Sequence, residues 1–420
     1  MIVIAAKNAF LKNRTGIEEY TFQLVNNLRK IEKKEEIFIY TNKIEEKVDF
    51  PLNFHLKIIH FPILWTQIGL SLQMIKWRLT TLSVRSLWRR RINDSRFTTK
   101  LFIPAHVIPL IHPKHTIVTI HGLEYEYFPQ YYSWFSRKYL RLSTRYATKH
   151  AFKIITVSEN TKQDLIKLYK CPSEKIEVIW HGVVQIKSEK LKVKSQSAKF
   201  KINKPYFLYL GRIELKKNVV GIVGAFKKFK IQESQIVNRK SLIANRNKPQ
   251  NISYKLILAG GRGYGYQNIK YQISNIKKNV RKDIIFTDHV SGDEKWQLLR
   301  NAEALVFPSF YEGFGLPILE AQSVGIPVIT SKRSSMEEIT TLNRESLTPC
   351  LPAGMVNRES QKAQSALLVD PNKPGEIADA MREIVNDSKL RDELIRLGYE
   401  NAKRFSWKKT ARKTLDVLNF

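Results

Sequence analysis

Short runs of apolar residues alternate along the chain with longer segments in which apolar residues recur every three or four positions. The first pattern is typical of buried strands and the second of amphipathic helices. In the first half, the strand-like runs are Ile2–Ala6, Ile37–Tyr40, Leu56–Phe61, Leu101–Pro104, Ile117–Ile120, Ile154–Val157 and Ile176–Ile179. The helical patterns there are Gly16–Lys30, Leu64–Trp88, Tyr131–Ala151 and Glu159–Tyr169. Strands that alternate with helices predict a parallel sheet.

The same alternation begins again in the second half of the chain. Its strand-like runs are Tyr206–Leu210, Lys255–Ala259, Ile284–Thr287, Ala304–Phe307, Pro327–Thr330 and Ala366–Val369. The pattern predicts an α/β chain of two doubly wound parallel-sheet domains, residues 1–185 and 205–400, joined by a lysine-rich linker at 186–204. The polar stretches at about 231–253 and 340–365 lack apolar periodicity, so we expect surface insertions there. Residues 401–420 end the chain with an amphipathic helix.

Composition narrows the class of protein. A chain of 420 residues is too long for one core. Its net charge of +33 attracts phosphates, whether of nucleotide sugars, nucleic acid or an anionic membrane. No RNA- or DNA-binding motif accompanies the charge, so we expect no specific nucleic-acid binding. Cys171 and Cys350 lack metal-site spacing, and no apolar run approaches the roughly 18 residues of a spanning helix. We expect a cytoplasmic protein that begins with a buried strand.

Two carboxylates in the second half form the strongest candidate site. Glu312 follows the strand-like run Ala304–Phe307, and Glu320 lies eight positions later in a helical pattern. The turn between them consists of Gly313, Phe314, Gly315 and Leu316. Ligands of open α/β sheets bind beyond the carboxyl ends of the strands, and a helix start offers N–H groups to an anion. Carboxylates accept hydrogen bonds from sugar hydroxyls. This spacing favours a site for a phosphorylated, polyhydroxylated ligand over two solvated surface acids.

The segment resembles the Glu-x7-Glu motif of the retaining, nucleotide-sugar-dependent glycosyltransferases of family 4 (group 1). The resemblance implies the GT-B architecture, with two Rossmann-like domains facing a central cleft. It implies that residues 1–185 form the acceptor side, that residues 205–400 bind the donor, and that the helix at 401–420 crosses back to the first domain. Glu320 would hold the ribose, and Glu312 would contact the donor sugar and help position its anomeric carbon.

Two cations follow the first strand of the second domain. Arg212 and Lys217 lie in the sequence GRIELKKN, which resembles the Gly-Arg-x4-Lys motif of the same family. The resemblance implies that both neutralise the diphosphate of the donor, which is the leaving group. We therefore expect neither a metal ion nor another cofactor. The alternative is that they are solvated surface cations, which fits the neighbouring Lys216 better than Arg212.

Two further motifs lie in the first domain. The sequence around His121, TIHGL, resembles the family's Thr-x-His-Asp-Leu segment, in which the histidine lies near the sugar anomeric centre. His121 is thus a candidate catalytic residue, although Gly122 replaces the usual aspartate and a purely structural histidine is the alternative. Gly16 opens a helical pattern and matches the family's glycine loop near the acceptor and donor phosphate. The alternative for Gly16 is an ordinary helix-start glycine.

The expected activity is transfer of a sugar, with GDP-mannose as the favoured donor, to a lipid-linked or cell-surface glycan with retention of configuration. Another GT-B enzyme, such as a sugar-nucleotide epimerase, and a non-catalytic binder of phosphate polymers are the alternatives. Bulky apolar residues also lie close to cations between residues 65 and 96. They are Trp65, Ile68, Leu72, Ile75, Trp77 and Leu79, with Lys76, Arg78, Arg85, Arg89, Arg90, Arg91 and Arg96. Such a region can lie in a membrane interface, so we expect peripheral contact with an anionic membrane; packing on the first-domain sheet is the alternative.

Overall fold

The computed structural model describes residues 1–61, 64–77, 99–184, 202, 204–244, 253–343 and 362–419, with the backbone alone at 236–244. The chain divides into two compact units. The first contains Met1–Gly182 together with Phe405–Phe420, and the second contains Val183–Arg404. Each unit is built on a parallel sheet, which confirms the α/β class predicted from the alternation of strands and helices. Among the described residues, no helix has the length and apolar character needed to cross a membrane.

The first unit contains a parallel sheet of seven strands in the order β3-β2-β1-β4-β5-β6-β7. The strands are β1 Ile2–Ala5, β2 Ile37–Thr41, β3 Phe54–Ile58, β4 Lys100–Ile103, β5 His115–Ile120, β6 Lys153–Thr156 and β7 Ile176–Val178. Its helices include α1 Gly16–Ile31, α2 Glu124–Tyr127, α3 Trp134–His150 and α4 Glu159–Tyr169. The direction of winding reverses between β1 and β4, so the loops after these strands diverge at one edge of the sheet.

Local sequence explains where α1 begins and which face it buries. Thr15 and Glu18 form a capping box: the Glu18 carboxylate accepts the Thr15 N–H at 2.7 Å. Tyr20, Leu24 and Leu28 then recur at helical spacing and are buried. The apolar stripe of α1 therefore packs on the core of the first unit.

The second unit repeats this plan with six parallel strands in the order β10-β9-β8-β11-β12-β15. The strands of this sheet are β8 Tyr206–Leu210, β9 Lys255–Ala259, β10 Ile284–Asp288, β11 Ala304–Phe307, β12 Val328–Ser331 and β15 Leu367–Val369. The helices are α5 Val219–Ala244, α6 Tyr266–Ser274, α7 Lys278–Arg281, α8 Gly292–Arg300, α9 Leu316–Ser323, α10 Ser335–Thr340, α11 Pro374–Asn386 and α12 Ser388–Lys403. Here the winding reverses between β8 and β11, which are paired neighbours.

The structure differs from the sequence pattern in the two polar stretches. Helix α5 continues to Ala244, so the stretch predicted as an insertion at 231–253 is helical at its start. Lys, Gln, Glu and Arg are good helix formers, so the first part of this polar stretch can continue the helix. The ends of the stretch at 340–365 pair as antiparallel strands β13 Thr341–Asn343 and β14 Lys362–Gln364. Residues 344–361, with Cys350, and most of the linker at 186–204 lie outside the described residues.

The region expected to lie in a membrane interface contributes its tryptophans to the protein core instead. Trp65 is buried, and its indole N–H donates to the carbonyl of Ile59 at 3.1 Å. The indole N–H of Trp77 donates to the Tyr40 hydroxyl at 2.6 Å. Trp65 is therefore a core residue and Trp77 packs half-buried against the core, whereas contact of the region with a membrane stays a prediction. Leu79 and Arg78 to Arg96 lie outside the described residues.

The last helix, α13 Trp407–Asn419, packs against α1 of the first unit. The hydroxyl of Thr410 donates to the carbonyl of Trp180 at 2.8 Å. A Cβ atom on Gly182 would lie 2.0 Å from the backbone nitrogen of Trp407, so only glycine permits this approach. The end of the chain thus completes the core that residues 1–182 begin.

Candidate functional site

The candidate site of the second unit lies where β8 and β11 end. These strands are parallel neighbours, so the loops that follow them leave the same edge of the sheet. The first loop carries Lys217 and the second carries Glu312. The Lys217 ammonium lies 2.5 Å from each carboxylate oxygen of Glu312. Their side chains are 17% and 11% exposed, so the pair is largely shielded from water.

Asn218 fixes the loop that carries Lys217. It has a φ of 57°, in the left-handed region that asparagine tolerates better than most residues. Its buried side-chain amide donates to the carbonyls of Pro308 at 3.0 Å and Pro371 at 2.7 Å. The loop after β8 is therefore tied to the loop after β11, which keeps Lys217 beside Glu312.

Two serines hold the backbone around Glu312. Its N–H donates to the Ser334 hydroxyl at 3.1 Å, and the Ser335 hydroxyl donates to the carbonyls of Glu312 at 2.8 Å and Phe314 at 2.9 Å. Gly315, with a φ of 109°, then turns the chain into α9, which starts at Leu316. The turn from Gly313 to Leu316 is thus clamped at the edge of the sheet.

Glu320 lies in α9 and is also paired with a lysine. Lys295 of α8 donates to its Oε1 atom at 2.7 Å, and the two side chains are 26% and 16% exposed, with that of Lys295 the more exposed. Sequence reasoning missed Lys295 because a lysine on an amphipathic helix is ordinary, and no local motif marks it. Both acids of the pair singled out from the sequence are therefore neutralised by a lysine.

Arg212 lies in the same loop as Lys217 but projects differently. Its side chain is exposed and makes no hydrogen bond or ion pair with any residue that the structure describes. Its carbonyl accepts the hydroxyl of Tyr209 at 2.7 Å. Burial, together with the charges of Glu312 and Glu214, raises the pKa of Tyr209 well above its usual value, so this phenol stays protonated as a donor. The Arg212 guanidinium is available to an anion.

The loops after β8 and β9 approach each other closely beneath this site. A Cβ atom on Gly260 would lie 2.0 Å from the carbonyl oxygen of Gly211. Gly260 has a φ of 142°, which residues with side chains rarely adopt. Backbone contact at this point holds the start of the arginine-bearing loop.

In the first unit, His121 follows β5 and its ring is fixed by backbone. Its Nε2–H donates to the carbonyl of Pro104 at 2.8 Å, and its own N–H donates to Nε2 of His106 at 3.1 Å. Desolvation, and to a smaller extent His106, lowers the pKa of His121 to about 3. The imidazole is therefore neutral near pH 7, with Nδ1 as its lone-pair acceptor.

An aromatic stack supports His121. The ring of Tyr20 lies 4.8 Å from that of His121 in an edge-to-face arrangement, and it stacks on His181 at 4.6 Å. Trp407 of α13 lies 5.8 Å from His181, so the last helix completes the stack. Gly122, which stands where the family pattern has aspartate, has a φ of 155°; an aspartate would be strained there.

Gly16 is the exposed first residue of α1, in the connection that follows β1. A Cβ atom built on it meets nothing within 4 Å, so the fold itself does not require glycine there. The residues singled out from the sequence thus fall at the carboxyl edges of the two sheets. Gly16 and His121 belong to the first, and Arg212, Lys217, Glu312 and the turn Gly313–Leu316 belong to the second.

Metal ligands do not gather in the part of the chain that the structure describes. No group of three or more His, Cys, Asp or Glu side chains there is arranged to hold a metal ion. The positive charge of the candidate site comes from the side chains of Arg212, Lys217 and Lys295.

Comparison with known proteins places these features in context. Residues 14–184 match the family described as Glycosyltransferase Family 4, and residues 192–401 match Glycosyl transferases group 1. The chain is 23% identical to O-antigen chain mannosyltransferase B of Escherichia coli over 433 residues, which covers 99% of each chain. It is 26% identical to O-antigen chain mannosyltransferase RfbU of Salmonella typhimurium over 332 residues, 79% of this chain and 82% of that one.

A solved structure shows the fold. The chain resembles the Anabaena HepE protein, whose crystal structure contains UDP and glucose, with a TM-score of 0.62 and 14% identity. The match covers 100% of this chain and 99% of the other. This likeness confirms the GT-B fold predicted from the sequence.

Proposed function

Because the chain belongs to the group 1 glycosyl transferases, we propose that it moves a sugar from a nucleoside diphosphate sugar to an acceptor hydroxyl with retention of configuration. We take GDP-mannose as the donor, supported by the similarity to two mannosyltransferases. The acceptor that we propose is a lipid-linked or cell-surface glycan, in keeping with the O-antigen role of both relatives. We place the enzyme in the cytoplasm, at the inner face of the membrane.

The contact between Lys217 and Glu312 at the reversal of the second sheet carries this proposal. The carboxylate of Glu312 suits sugar hydroxyls, and the ammonium of Lys217 suits a diphosphate. Arg212 adds an uncommitted guanidinium on the same loop. These cations would stabilise the charge that develops as the diphosphate leaves, which is the role that a metal ion has in other enzymes. We therefore propose a metal-independent reaction.

The pairing implies an exchange of partners when donor binds. Without donor, Lys217 and Glu312 neutralise each other in a shielded site. A bound diphosphate competes for the ammonium of Lys217, and Glu312 is then released to accept hydrogen bonds from the donor sugar. Exchange of one anion for another keeps Lys217 paired throughout, which avoids leaving a buried charge alone.

The second acid, Glu320, would bind the ribose of the donor. Lys295 holds its Oε1 atom, so Oε2 can accept hydrogen bonds from ribose hydroxyls. Lys295 is then a positioning residue, since it acts on the nucleotide through Glu320. Its contact fixes a carboxylate that would otherwise sample several rotamers.

In the first unit, His121 would contact the donor sugar as a neutral ring. Its Nε2–H is already donated to Pro104, so Nδ1 would accept a hydrogen bond from a sugar hydroxyl. We assign no covalent nucleophile. On the front-face route, the anomeric carbon–oxygen bond breaks, the acceptor oxygen bonds to the same face, and its proton passes to the departing diphosphate.

The test combines nucleotide binding with product analysis. GDP, UDP, ADP and dTDP are compared for thermal stabilisation of the wild-type chain and of Glu320→Ala at moderate salt. We expect GDP to stabilise the wild type selectively and the variant much less. Equal shifts for all four nucleotides, or equal shifts in the two proteins, would show phosphate binding by surface charge alone.

Product analysis separates transfer from other reactions of the donor. The chain is incubated with GDP-mannose with and without membrane extract as a source of acceptor, in the presence of a metal chelator. We expect acceptor-dependent release of GDP and an α-linked product. Conversion of the donor without acceptor would favour an epimerase instead.

A further inference from the structure

Helix α3 exposes a row of large apolar side chains on the first unit. Trp134 is 64% exposed, Phe135 78%, Leu142 55% and Tyr139 43%. The outward face of a helix on a globular protein is normally polar. Four bulky apolar residues on one outward face form the kind of patch that marks an interaction surface.

The opposite face of α3 is anchored in the fold. Thr144, Ala147 and Thr148 are buried, and the Thr144 hydroxyl lies 2.7 Å from that of Tyr125 in a buried contact. The carbonyl of Tyr125 also accepts a hydrogen bond from Arg137 at 3.2 Å. The contacts of the buried face therefore hold α3 in place, and the exposed row does not need a binding partner for the helix to form.

Exposed cations lie on the same helix, among and after the exposed apolar residues. They are Lys138, Arg141, Arg145 and Lys149. The ammonium of Lys138 lies 4.7 Å from the ring centre of Trp134, a cation–π contact that keeps the two side chains together. Apolar rings and positive charge thus share one surface.

A groove of about 440 Å³ opens beside this row. Its lining includes Arg137, Lys138, Arg141 and Arg145 from α3, with Leu168 and Tyr169 from α4. Glu126 is the acid in the lining, and it is already satisfied: Arg141 donates to it at 3.0 Å and the Tyr169 hydroxyl at 2.5 Å. The groove retains an excess of positive charge that suits a phosphate.

From this surface, which we call the α3 face, we infer that the chain docks on bilayers of anionic phospholipid. Aromatic rings of this kind settle at the boundary between headgroups and acyl chains, and nearby Lys and Arg residues attract anionic lipids. The groove would take one lipid phosphate while Trp134 and Phe135 enter the interface. The α3 face belongs to the first unit and shares no residue with the candidate donor site, so docking does not depend on the proposed reaction.

Lipid fits the α3 face better than nucleic acid does. A nucleic-acid surface uses rings that stack on bases within a positive groove. Here Phe135 and Leu142 project from the outward face of a helix, where an acyl-chain boundary would cover them. Single-stranded RNA is therefore included in the test, and binding of RNA by the α3 face would overturn the inference.

The experiment is flotation with vesicles of phosphatidylcholine alone or mixed with phosphatidylglycerol, in the absence of donor. The wild-type chain is expected to float with the mixed vesicles only. Trp134→Ser/Phe135→Ser and Lys138→Glu/Arg145→Glu are each expected to weaken this binding by about tenfold or more. Lys270→Glu/Lys278→Glu, on exposed positions of the second unit, removes the same charge and serves as the matched control.

Each outcome supports or contradicts docking through the α3 face. Near-wild-type binding by the control, with loss in both α3 variants, would support it. Equal loss of binding in the control would assign the binding to net charge. Retention of binding in Trp134→Ser/Phe135→Ser would exclude a role for the exposed rings of α3. Binding of single-stranded RNA in place of mixed vesicles, lost in both α3 variants and kept in the control, would reassign the surface to nucleic acid. Thermal unfolding midpoints equal to that of the wild type check that all variants fold, and a chain inactive as a transferase can still dock.

Discussion

Lys295 of α8 donates a 2.7 Å hydrogen bond to Glu320 of α9, across 25 residues of sequence. Lys295 belongs to no sequence motif, whereas Glu320 is one of the two acids singled out from the sequence. The contact orients a carboxylate that would otherwise be free to rotate at a partly shielded position. The position of the Glu320 carboxylate therefore depends on a neighbour that no local pattern indicates.

Replacing Lys295 by Met should weaken nucleotide binding through Glu320. We expect the dissociation constant for GDP to rise roughly fivefold, equivalent to about 1 kcal/mol, because the carboxylate loses its charge-assisted partner. Lys295→Arg should recover most of the loss. Titration calorimetry checks this, with Lys270→Met as a control for charge. Identical affinities in all four proteins would refute the positioning role.

Removal of Lys217 should destabilise the second unit. In Lys217→Met, Glu312 is left without its cation in a shielded site, and we expect a loss of about 1–3 kcal/mol in the free energy of unfolding. Lys217→Met/Glu312→Gln should lose less than the sum of the single variants, because the two residues act as a pair. Urea unfolding of all four proteins measures the coupling. Strict additivity would mean that the pair contributes no interaction energy.

Ser334 offers a test of backbone strain at the clamp on Glu312. Its φ of 51° and ψ of −144° suit glycine far better than residues with a side chain. Ser334→Ala and Ser334→Gly both lose the hydroxyl, but only the glycine variant relieves the strain. We expect Ser334→Gly to be more stable than Ser334→Ala by about 1 kcal/mol. Thermal unfolding compares them, and equal midpoints would contradict the strained conformation.

Acid should destabilise the first unit through His121. Its pKa is about 3 in the folded chain, below the ordinary value of 6.5. The unfolded chain therefore binds the proton more readily, so stability is fully present above about pH 6.5 and falls as the pH drops from there toward 3. His121→Gln should show a shallower fall. NMR titration gives the direct check, and a His121 midpoint near 6.5 would overturn the assignment.

Gly16→Ala tests whether glycine at position 16 is needed for ligand binding or for folding. The added methyl group meets open space, so we expect a melting temperature equal to or slightly above that of the wild type. If the loop backbone approaches the acceptor or donor phosphate, the KM for that substrate should rise several-fold while the fold is intact. Gly260→Ala is the contrasting variant, because its methyl group would collide with Gly211 and should destabilise the chain.

The sequence predicts the strands of the second sheet well and its side-chain partnerships poorly. Tyr206–Leu210, Lys255–Ala259 and Ala304–Phe307 agree with the structure to the residue. Each is a continuous apolar run buried on both sides, which is the clearest signal for a parallel strand. The contact of Lys295 with Glu320 depends instead on how α8 and α9 pack, which local spacing does not encode.

Packing also determines where the tryptophans near residue 70 lie. Their bulk and the cations beside them fit a membrane interface and a protein core equally well in sequence. A buried hydrogen bond to Ile59 places Trp65 in the core, and a half-buried one to Tyr40 packs Trp77 against the core. Helix α3 shows the opposite case, because its large apolar residues are exposed. The helical spacing of the sequence alone does not show which face of a helix the protein covers.

The return of the chain to its first unit has a consequence for biosynthesis. The first unit takes its last helix, α13, from the end of the chain, where Trp407 stacks on His181, whereas the second unit is the continuous segment Val183–Arg404. On the ribosome, the unit translated second is thus complete before the unit translated first. A nascent chain halted before residue 405 would lack α13, and the face of His181 on which Trp407 stacks would then be uncovered.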